Sequence, residues 1–94
     1  MTTMTMTMAE FTKQSLEEGF DEVLIRTWPA NQQLDTHTHP FDASVLVMKG
    51  SYSLTIGDQV RHLVAGDSFR LARNVAHAES YGPEGATIWV ARAN

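Results

Sequence analysis

Short segments in which apolar and polar residues alternate fill most of the chain after Gly19, and turn-forming residues separate them. Such alternation is typical of strands that bury one face, and turn signals roughly every eight to twelve residues favour an all-β sandwich or barrel. Because no helical stretch lies between these segments, the pattern argues against a parallel sheet. It predicts seven or eight strands, over residues 22–28, 34–39, 44–49, 52–56, 59–64, 68–71, 77–81 and 86–92.

Two turns and one helix complete the expected order of elements. Gly57 and Asp58 predict a tight hairpin, and the Gly-Pro-Glu-Gly segment at residues 82–85 is expected to reverse the chain between the last two strands. Residues 10–19 predict a short helix that ends at a glycine.

The N-terminal tract alternates threonine with methionine and has two interpretations. Its low complexity indicates a disordered tail. The alternation of an apolar with a β-branched polar residue favours instead an edge strand, which could pair with a partner subunit. We therefore divide the chain into residues 1–9, a tail or an edge strand, and residues 10–94, a single domain.

The composition excludes several classes of protein. The 94 residues include no cysteine, so disulfides and thiolate ligands are excluded and a bound metal must use nitrogen and oxygen donors. A net charge of −4 with only seven Lys and Arg residues argues against nucleic-acid binding. Neither a membrane-spanning run nor a secretory signal is predicted. The absence of cysteine suits a reducing cytoplasm, where we expect the protein to be located. We also expect a homodimer, since a domain of this size gains stability from a shared interface.

Three of the four histidines are spaced so that a small barrel could gather them around one metal ion. His37 and His39 are two residues apart, so on a strand both side chains face the same way, roughly 6.5–7 Å apart. His77, from a later strand, could complete a site of three nitrogen ligands. The alternative is a barrel that keeps these histidines without a metal. His62 stands alone and is expected to be a surface or hydrogen-bonded residue.

The spacing around these histidines resembles the two sequence motifs of the cupin family. The first cupin motif places His-x-His and then a glutamate between two glycines, and here it runs from Asn31 to Gly50. The second places a histidine after a Pro-x-Gly turn, and here it runs from Gly66 to Tyr81. The resemblance spans about residues 22–92. It implies a double-stranded β-helix, the jelly-roll barrel of cupins, with a divalent metal held by the three histidines.

Several residues depart from the cupin motifs. Asn31 and Asn74 replace glycines, and asparagine tolerates the positive φ that such turns require. Ala72 replaces the motif proline, which should loosen that turn only slightly. Ala43 replaces the glutamate ligand, so the resemblance implies a three-histidine site with either open coordination positions or a replacement oxygen.

Two carboxylates could supply that oxygen. Glu79 shares the parity of His77 on a continuous strand, so it could be a fourth ligand or an acid/base beside the metal. It could instead hold an imidazole N–H in one tautomer, or lie solvated at the barrel rim. Asp42 is the weaker candidate, because its parity points it to the other face unless Pro40 and Phe41 form a bulge.

Aromatic residues near the histidines are candidates to line the mouth of the barrel. Phe41 and Tyr81 share the parity of the histidines on their strands, although either could belong to the core instead. Trp28 and Trp89 are expected in the core or at an interface. We take Glu79 and Tyr81 as the candidate catalytic residues.

The predicted site admits several metals and two classes of function. Neutral imidazoles suit Fe, Zn, Ni and Cu, and the cupin resemblance adds Mn, so the identity of the metal is open. Three neutral ligands leave the positive charge of the ion uncompensated, which favours an anionic or enolisable small-molecule substrate. Resemblance to three-histidine cupin dioxygenases implies a metal-dependent enzyme. The alternative is a non-catalytic sensor module that binds a small ligand or a metal.

Overall fold

A computed structural model describes residues 6–94, which are built mainly from β-strands. Within these residues, one helix precedes six strands: α1 Met8–Glu17, β1 Glu22–Trp28, β2 Gln33–His37, β3 Asp42–Ile56, β4 Gln59–Val64, β5 Ser68–Leu71 and β6 His77–Ala93. All the strand pairs are antiparallel and belong to one sheet. The predicted all-β class with a short N-terminal helix is confirmed.

Helix α1 begins two residues earlier than the sequence pattern predicts. The Thr7 hydroxyl accepts a hydrogen bond from the Glu10 amide, and the Glu10 carboxylate accepts one from the Thr7 amide, which forms a capping box. Met8, expected in the tail or edge strand, is therefore the first helical residue. The rest of that expectation falls largely on residues 1–5, which lie outside the described residues. No helix in the described part of the chain is long and apolar enough to cross a membrane.

Strands β3 and β6 are each continuous where the sequence pattern predicts two shorter strands. They pair with each other along most of their length, from Asp42 opposite Ala93 to Thr55 opposite Ala78. Strand β6 also pairs with β1 and β2, while β3 also pairs with β4 and β5. Each long strand therefore contributes to two parts of the barrel.

The predicted reversal at residues 82–85 is wrong, because this segment lies within β6. The pairing of β3 with β6 shifts register between Gly50 and Tyr52, and residues 82–85 occupy that shift. Gly85 has a φ of 69°, and a Cβ atom there would come within 2.2 Å of the carbonyl oxygen of Trp28. A Cβ atom at Gly50 would lie 2.0 Å from the Gly85 carbonyl oxygen. These glycines allow neighbouring backbones to approach closely, and the strand bends without turning back.

Alternate residues of the long strands face two separate hydrophobic clusters. On β3, Val45 belongs to an inner cluster and the next residue, Leu46, to an outer one. The outer cluster also buries Ala91 and is covered by α1, whose Phe11 ring lies 5.8 Å from the Trp89 ring, centroid to centroid. The inner cluster borders a cavity that contains the histidines.

Candidate metal centre

Strands β2 and β6 bring the three histidines together. His37, the last residue of β2, lies directly opposite His77, the first residue of β6. His39, predicted to lie on the same strand, follows instead in the loop that leads to β3, because β2 ends at His37. One nitrogen of each ring lies within 4.8 Å of the corresponding nitrogens of the other two, and the ring centroids are 4.4, 4.8 and 5.1 Å apart. The structure thus places all three predicted ligands around one point.

Hydrogen bonds to backbone carbonyls fix the tautomers of two of these rings. The Nδ1 atom of His37 lies 2.6 Å from the carbonyl oxygen of Asp35, and that of His77 lies 2.9 Å from the carbonyl oxygen of Val75. Because a carbonyl oxygen only accepts, each Nδ1 must donate its proton. The Nε2 atom of each neutral ring therefore carries a free lone pair, which is the arrangement that metal-binding histidines usually have.

The third ring, His39, is held by stacking. Its ring lies 4.8 Å from that of Phe41 with an angle of 17° between the planes. Burial, together with the neighbouring His37 and His77, lowers the pKa of His39. The lowered pKa favours the neutral imidazole, which is the form that binds metals.

Two asparagines shape the turns beside the histidines. Asn31 and Asn74 have φ values of 60° and 64°, so both adopt the positive φ that the sequence comparison with glycine predicts. The Asn74 amide donates a hydrogen bond to the carbonyl oxygen of His39 at 2.8 Å. This contact connects the loop that carries His39 to the turn that precedes His77.

Glu79 lies beside the histidines on β6. Its Oε2 atom is 3.4 Å from Nε2 of His77 and 3.8 Å from Nε2 of His37. Its side chain is only 14% exposed, which does not fit a freely solvated residue at the rim. Among the described residues, however, the group whose ligand atoms all lie close together consists of the three histidines alone. Glu79 is therefore adjacent to the metal position and shares the inner face of the barrel.

Tyr81 lies behind Glu79 in the core, which is one of the two alternatives that the sequence leaves open for it, and not at the mouth of the barrel. Its hydroxyl donates a hydrogen bond to Oε1 of Glu79, and its ring stacks between Trp28 and Tyr52 at centroid distances of 5.2 and 4.9 Å. The residue is 3% exposed and does not line the cavity. Burial, reinforced by the hydrogen bond to Glu79, raises the pKa of Tyr81 far above its ordinary range. The phenol keeps its proton and acts as a donor.

Ala43 and Asp42 behave as strand parity predicts. Ala43 lines the cavity, where the motif glutamate of cupins would stand. Asp42 faces elsewhere and accepts a hydrogen bond from the backbone amide of Arg73 at 2.8 Å. Hydrogen bonds from that amide and from the Arg73 guanidinium lower the pKa of Asp42. Asp42 is therefore not the replacement oxygen, and no bulge at Pro40 and Phe41 turns it inwards.

A cavity of about 130 Å³ opens beside the histidines and is lined mainly by apolar and aromatic side chains. Phe41 lines it, as one of the two alternatives for this residue predicts. Trp28, expected in the core or at an interface, lines it as well. His62 lies elsewhere, exposed on β4, with Nδ1 2.7 Å from the hydroxyl of Ser53.

Sequence reasoning missed two charged residues that line the same cavity, Arg26 on β1 and Arg92 on β6. A signal for Arg26 is present in the sequence, because Leu24, Arg26 and Trp28 alternate along β1 and all three line the cavity. However, the same alternation is also expected if Arg26 lies on the solvent-exposed face of the strand, between Ile25 and Thr27. Parity alone therefore does not show whether Arg26 faces the cavity or the solvent.

The donor set fits a divalent transition metal. Imidazole nitrogens suit Fe, Ni, Cu and Zn, and the two carbonyl-bonded Nδ1 atoms leave Nε2 as the available donor on His37 and His77. At Ala43 the side chain ends at Cβ, so the cavity keeps space beside the histidines for a ligand that is not a protein residue.

Comparison with known proteins agrees with this architecture. No curated protein sequence matches the chain. A cupin-2 domain protein from Shewanella frigidimarina shares the fold with a TM-score of 0.65 and 20% identity, over 77% of this chain and 69% of that one. A conserved protein with a double-stranded β-helix domain from Klebsiella pneumoniae has a TM-score of 0.65 and 26% identity, over 76% and 64% of the two chains.

An HTH_3 family transcriptional regulator from Vibrio cholerae also shares the fold, with a TM-score of 0.63 and 18% identity. The match covers 77% of this chain but only 42% of the regulator. The family model described as the cupin domain matches residues 24–89, from β1 into β6 and including all three histidines. On this match and the shared fold, the chain belongs to the cupin family.

Proposed function

We propose that this cupin binds one divalent transition metal through His37, His39 and His77 and is a metal-dependent enzyme, dioxygenase-like, that acts on a small organic substrate. The observation that carries the proposal is the convergence of three imidazoles at the edge of a cavity. In two of them, Nδ1 donates a hydrogen bond to a backbone carbonyl oxygen. A bound metal would supply Lewis acidity and, if it is iron, the capacity for oxygen chemistry.

The residues around the metal position have distinct roles in this proposal. Glu79 is the acid/base, because its Oε2 atom faces the histidines while its other oxygen is occupied by Tyr81. Tyr81 is a positioning residue, since its hydroxyl holds the Glu79 carboxylate in one orientation and its ring is fixed by stacking. Phe41 packs on His39 and limits the access of water to that ring.

Metal analysis of histidine variants tests the metal centre. We expect His37→Ala, His39→Ala and His77→Ala each to weaken metal binding by more than about 100-fold, beyond the effect of losing an outer hydrogen-bond partner. His62→Ala is the matched control, because His62 is exposed and is not among the residues that line the cavity. The measurement is metal content by mass spectrometry on protein purified without nickel resin. Unchanged content in all three variants would refute the centre.

Oxygen uptake and turnover test the enzyme proposal. Iron-loaded protein should consume oxygen with some member of a panel of diketones, thiols and hydroxy acids. Glu79→Gln should then lower kcat by roughly 10²–10⁴-fold with an unchanged metal content, as expected for loss of an acid/base. Glu84→Gln, the same chemical change at an exposed position of β6, is the control. A loss of metal in Glu79→Gln would make Glu79 a ligand instead.

A second candidate function is a non-catalytic sensor module. It is favoured by the occurrence of the same fold in a transcriptional regulator, although the described residues of this chain contain one helix and no helix-turn-helix. Under this candidate, metal or small-ligand binding persists without turnover on any member of the panel, whichever metal is loaded.

The expected homodimer, the cytoplasmic location and the absence of nucleic-acid and membrane partners stay predictions. Light scattering during size-exclusion chromatography measures the first of them: a homodimer gives a mass near twice 10.5 kDa.

A further inference from the structure

Two arginines line the cavity of a chain that is acidic overall. The net charge of the chain is −4, yet the formally charged side chains that line the cavity are two arginines, Arg26 and Arg92, and one glutamate, Glu79. Glu79 is already engaged by the Tyr81 hydroxyl and lies next to two histidines. A divalent metal at the histidines would give the cavity a net positive charge.

Arg26 lies at the mouth of the cavity. It is exposed, lines the cavity and places its guanidinium carbon 5.9 Å from the centroid of the Trp28 ring. It forms no ion pair with any of the described residues 6–94. Its planar fork of donors is therefore free to bind a carboxylate in a bidentate manner.

Arg92 lies opposite Glu22 and stacks over Phe41. One terminal nitrogen donates to the Glu22 carboxylate at 2.7 Å, and the guanidinium carbon lies 4.8 Å from the centroid of the Phe41 ring. Its Nε is buried and has no hydrogen-bond partner. Within the described residues, the other buried side-chain polar atom without a partner is Nε1 of Trp28, which also lines the cavity.

These two unpartnered atoms are both donors, and both belong to residues that border the cavity. A buried donor without an acceptor destabilises the folded state, so such groups are uncommon in folded proteins. An acceptor-rich ligand that enters the cavity with a small adjustment of these side chains would relieve that cost. The cavity is lined by two charged donors, Arg26 and Arg92, and by one carboxylate, Glu79, that would repel such a ligand.

The size of the cavity limits the ligand. An engineered protein cavity of roughly 150 Å³ holds a benzene molecule, so a cavity of about 130 Å³ holds about six non-hydrogen atoms. A larger molecule would have to project through the mouth past Arg26.

We propose that the substrate or ligand of this site is a small carboxylate of about six non-hydrogen atoms, bound by Arg26 and Arg92 with a second oxygen directed to the histidines. This inference rests on the proposed metal centre and adds the chemical class of the ligand. The arginines select the anion, the aromatic lining of the cavity packs against its carbon atoms, and the histidine end receives the second oxygen.

Lactate and lactamide test this assignment, because they have the same number of non-hydrogen atoms and differ in charge. Calorimetric titration of zinc-loaded protein avoids redox chemistry. We expect lactate to bind at least about tenfold more tightly than lactamide, and Arg26→Gln to weaken lactate binding by about tenfold while leaving lactamide binding unchanged. Arg70→Gln, which removes the same charge from an arginine paired with Glu18 outside the cavity, should leave both unchanged.

A parallel titration of Arg92→Gln should give a similar loss for lactate. If that variant does not fold because its bond to Glu22 is lost, Arg26→Gln decides alone, since Arg26 is exposed and forms no ion pair with the described residues. Equal binding of lactate and lactamide, or an unchanged lactate affinity in Arg26→Gln, overturns the assignment. Zinc content is measured on each sample, so failure of the metal centre is seen as loss of zinc and is distinct from failure of the arginine site.

Discussion

The two faces of strands β3 and β6 differ in what they bury. The outer face buries apolar side chains such as Leu46 and Ala91 beneath α1. The inner face buries a histidine and Tyr81, which donates a hydrogen bond to the half-buried Glu79. Its cavity is bordered by the two buried donors that lack partners among the described residues. Because neighbouring residues on a strand point in opposite directions, one stretch of chain serves both. The outer face is free to be optimised for packing, whereas the inner face keeps polar groups that a purely structural core would exclude.

The largest loss of stability is expected when the buried Phe11 ring of the outer face is removed. Phe11→Ala deletes a ring that is 6% exposed and packs on Trp89. We expect it to lower the free energy of unfolding by about 3 kcal/mol and Tm by roughly 12–24 °C. Leu16→Ala, on the same helix but 51% exposed, should change stability far less. The measurement is thermal unfolding by circular dichroism.

The zinc content of Phe11→Ala, measured below its Tm, tests whether the outer face and the histidine site are independent. It should equal that of the unmodified protein, because no residue of the outer cluster, as described, lines the cavity beside the histidines. Loss of zinc from a folded Phe11→Ala sample would mean that the faces are coupled.

A smaller effect is expected when one hydroxyl is removed from the inner face. Tyr81→Phe keeps the stacked ring but leaves the Glu79 carboxylate without its donor, which should cost about 1–3 kcal/mol of stability. Tyr52→Phe is the matched control, since its ring belongs to the same stack and its hydroxyl does not bond Glu79. Urea unfolding of both variants gives the difference. Equal losses in the two variants would show that the Tyr81 hydroxyl has no special role.

The smallest effect is expected at Asp42, which belongs to neither hydrophobic cluster. Its pKa is held below the ordinary 3.8 by Arg73, so its contribution to stability is present above pH 3.8 and is lost as the pH falls through the lowered value. Asp42→Asn should therefore lower Tm slightly at pH 7, and the difference from the unmodified protein should vanish at the acid end of a pH series. Its metal content should not change. A Tm difference that persists below the lowered pKa would contradict this account.

Local sequence was a sufficient guide wherever a turn signal marked a true turn. The predicted bounds of β1, β4 and β5 agree with the structure, because Pro29, Gly57 and Gly66 lie at actual ends of strands. The predicted breaks at Gly50 and at residues 82–85 were wrong, because those glycines permit close approach between strands. A glycine that turns the chain and one that admits a distant backbone look the same in a single sequence.

The sequence likewise predicted part of the candidate site and missed part of it. The spacing of two separated motifs predicted that His37, His39 and His77 converge, and they do. Strand parity accounts only for His37 and His77, because His39 lies in the loop after β2. Parity also aligned Glu79 with Tyr81, but it could not show that Tyr81 is enclosed between two rings and reaches the site only through Glu79. That arrangement depends on contacts between residues far apart in the chain.

The position of His37 opposite His77 has a consequence for how the protein is handled. Among the described strands, β2 pairs only with β6, and its register is already interrupted before His37. An ion bound by both rings would hold β2 against β6. By mass action, a ligand at 100 times its Kd adds about 2.7 kcal/mol to the stability of the folded state. A chelator left over from purification would therefore alter the melting curve, and thermal stabilities compare fairly only between samples of equal metal content.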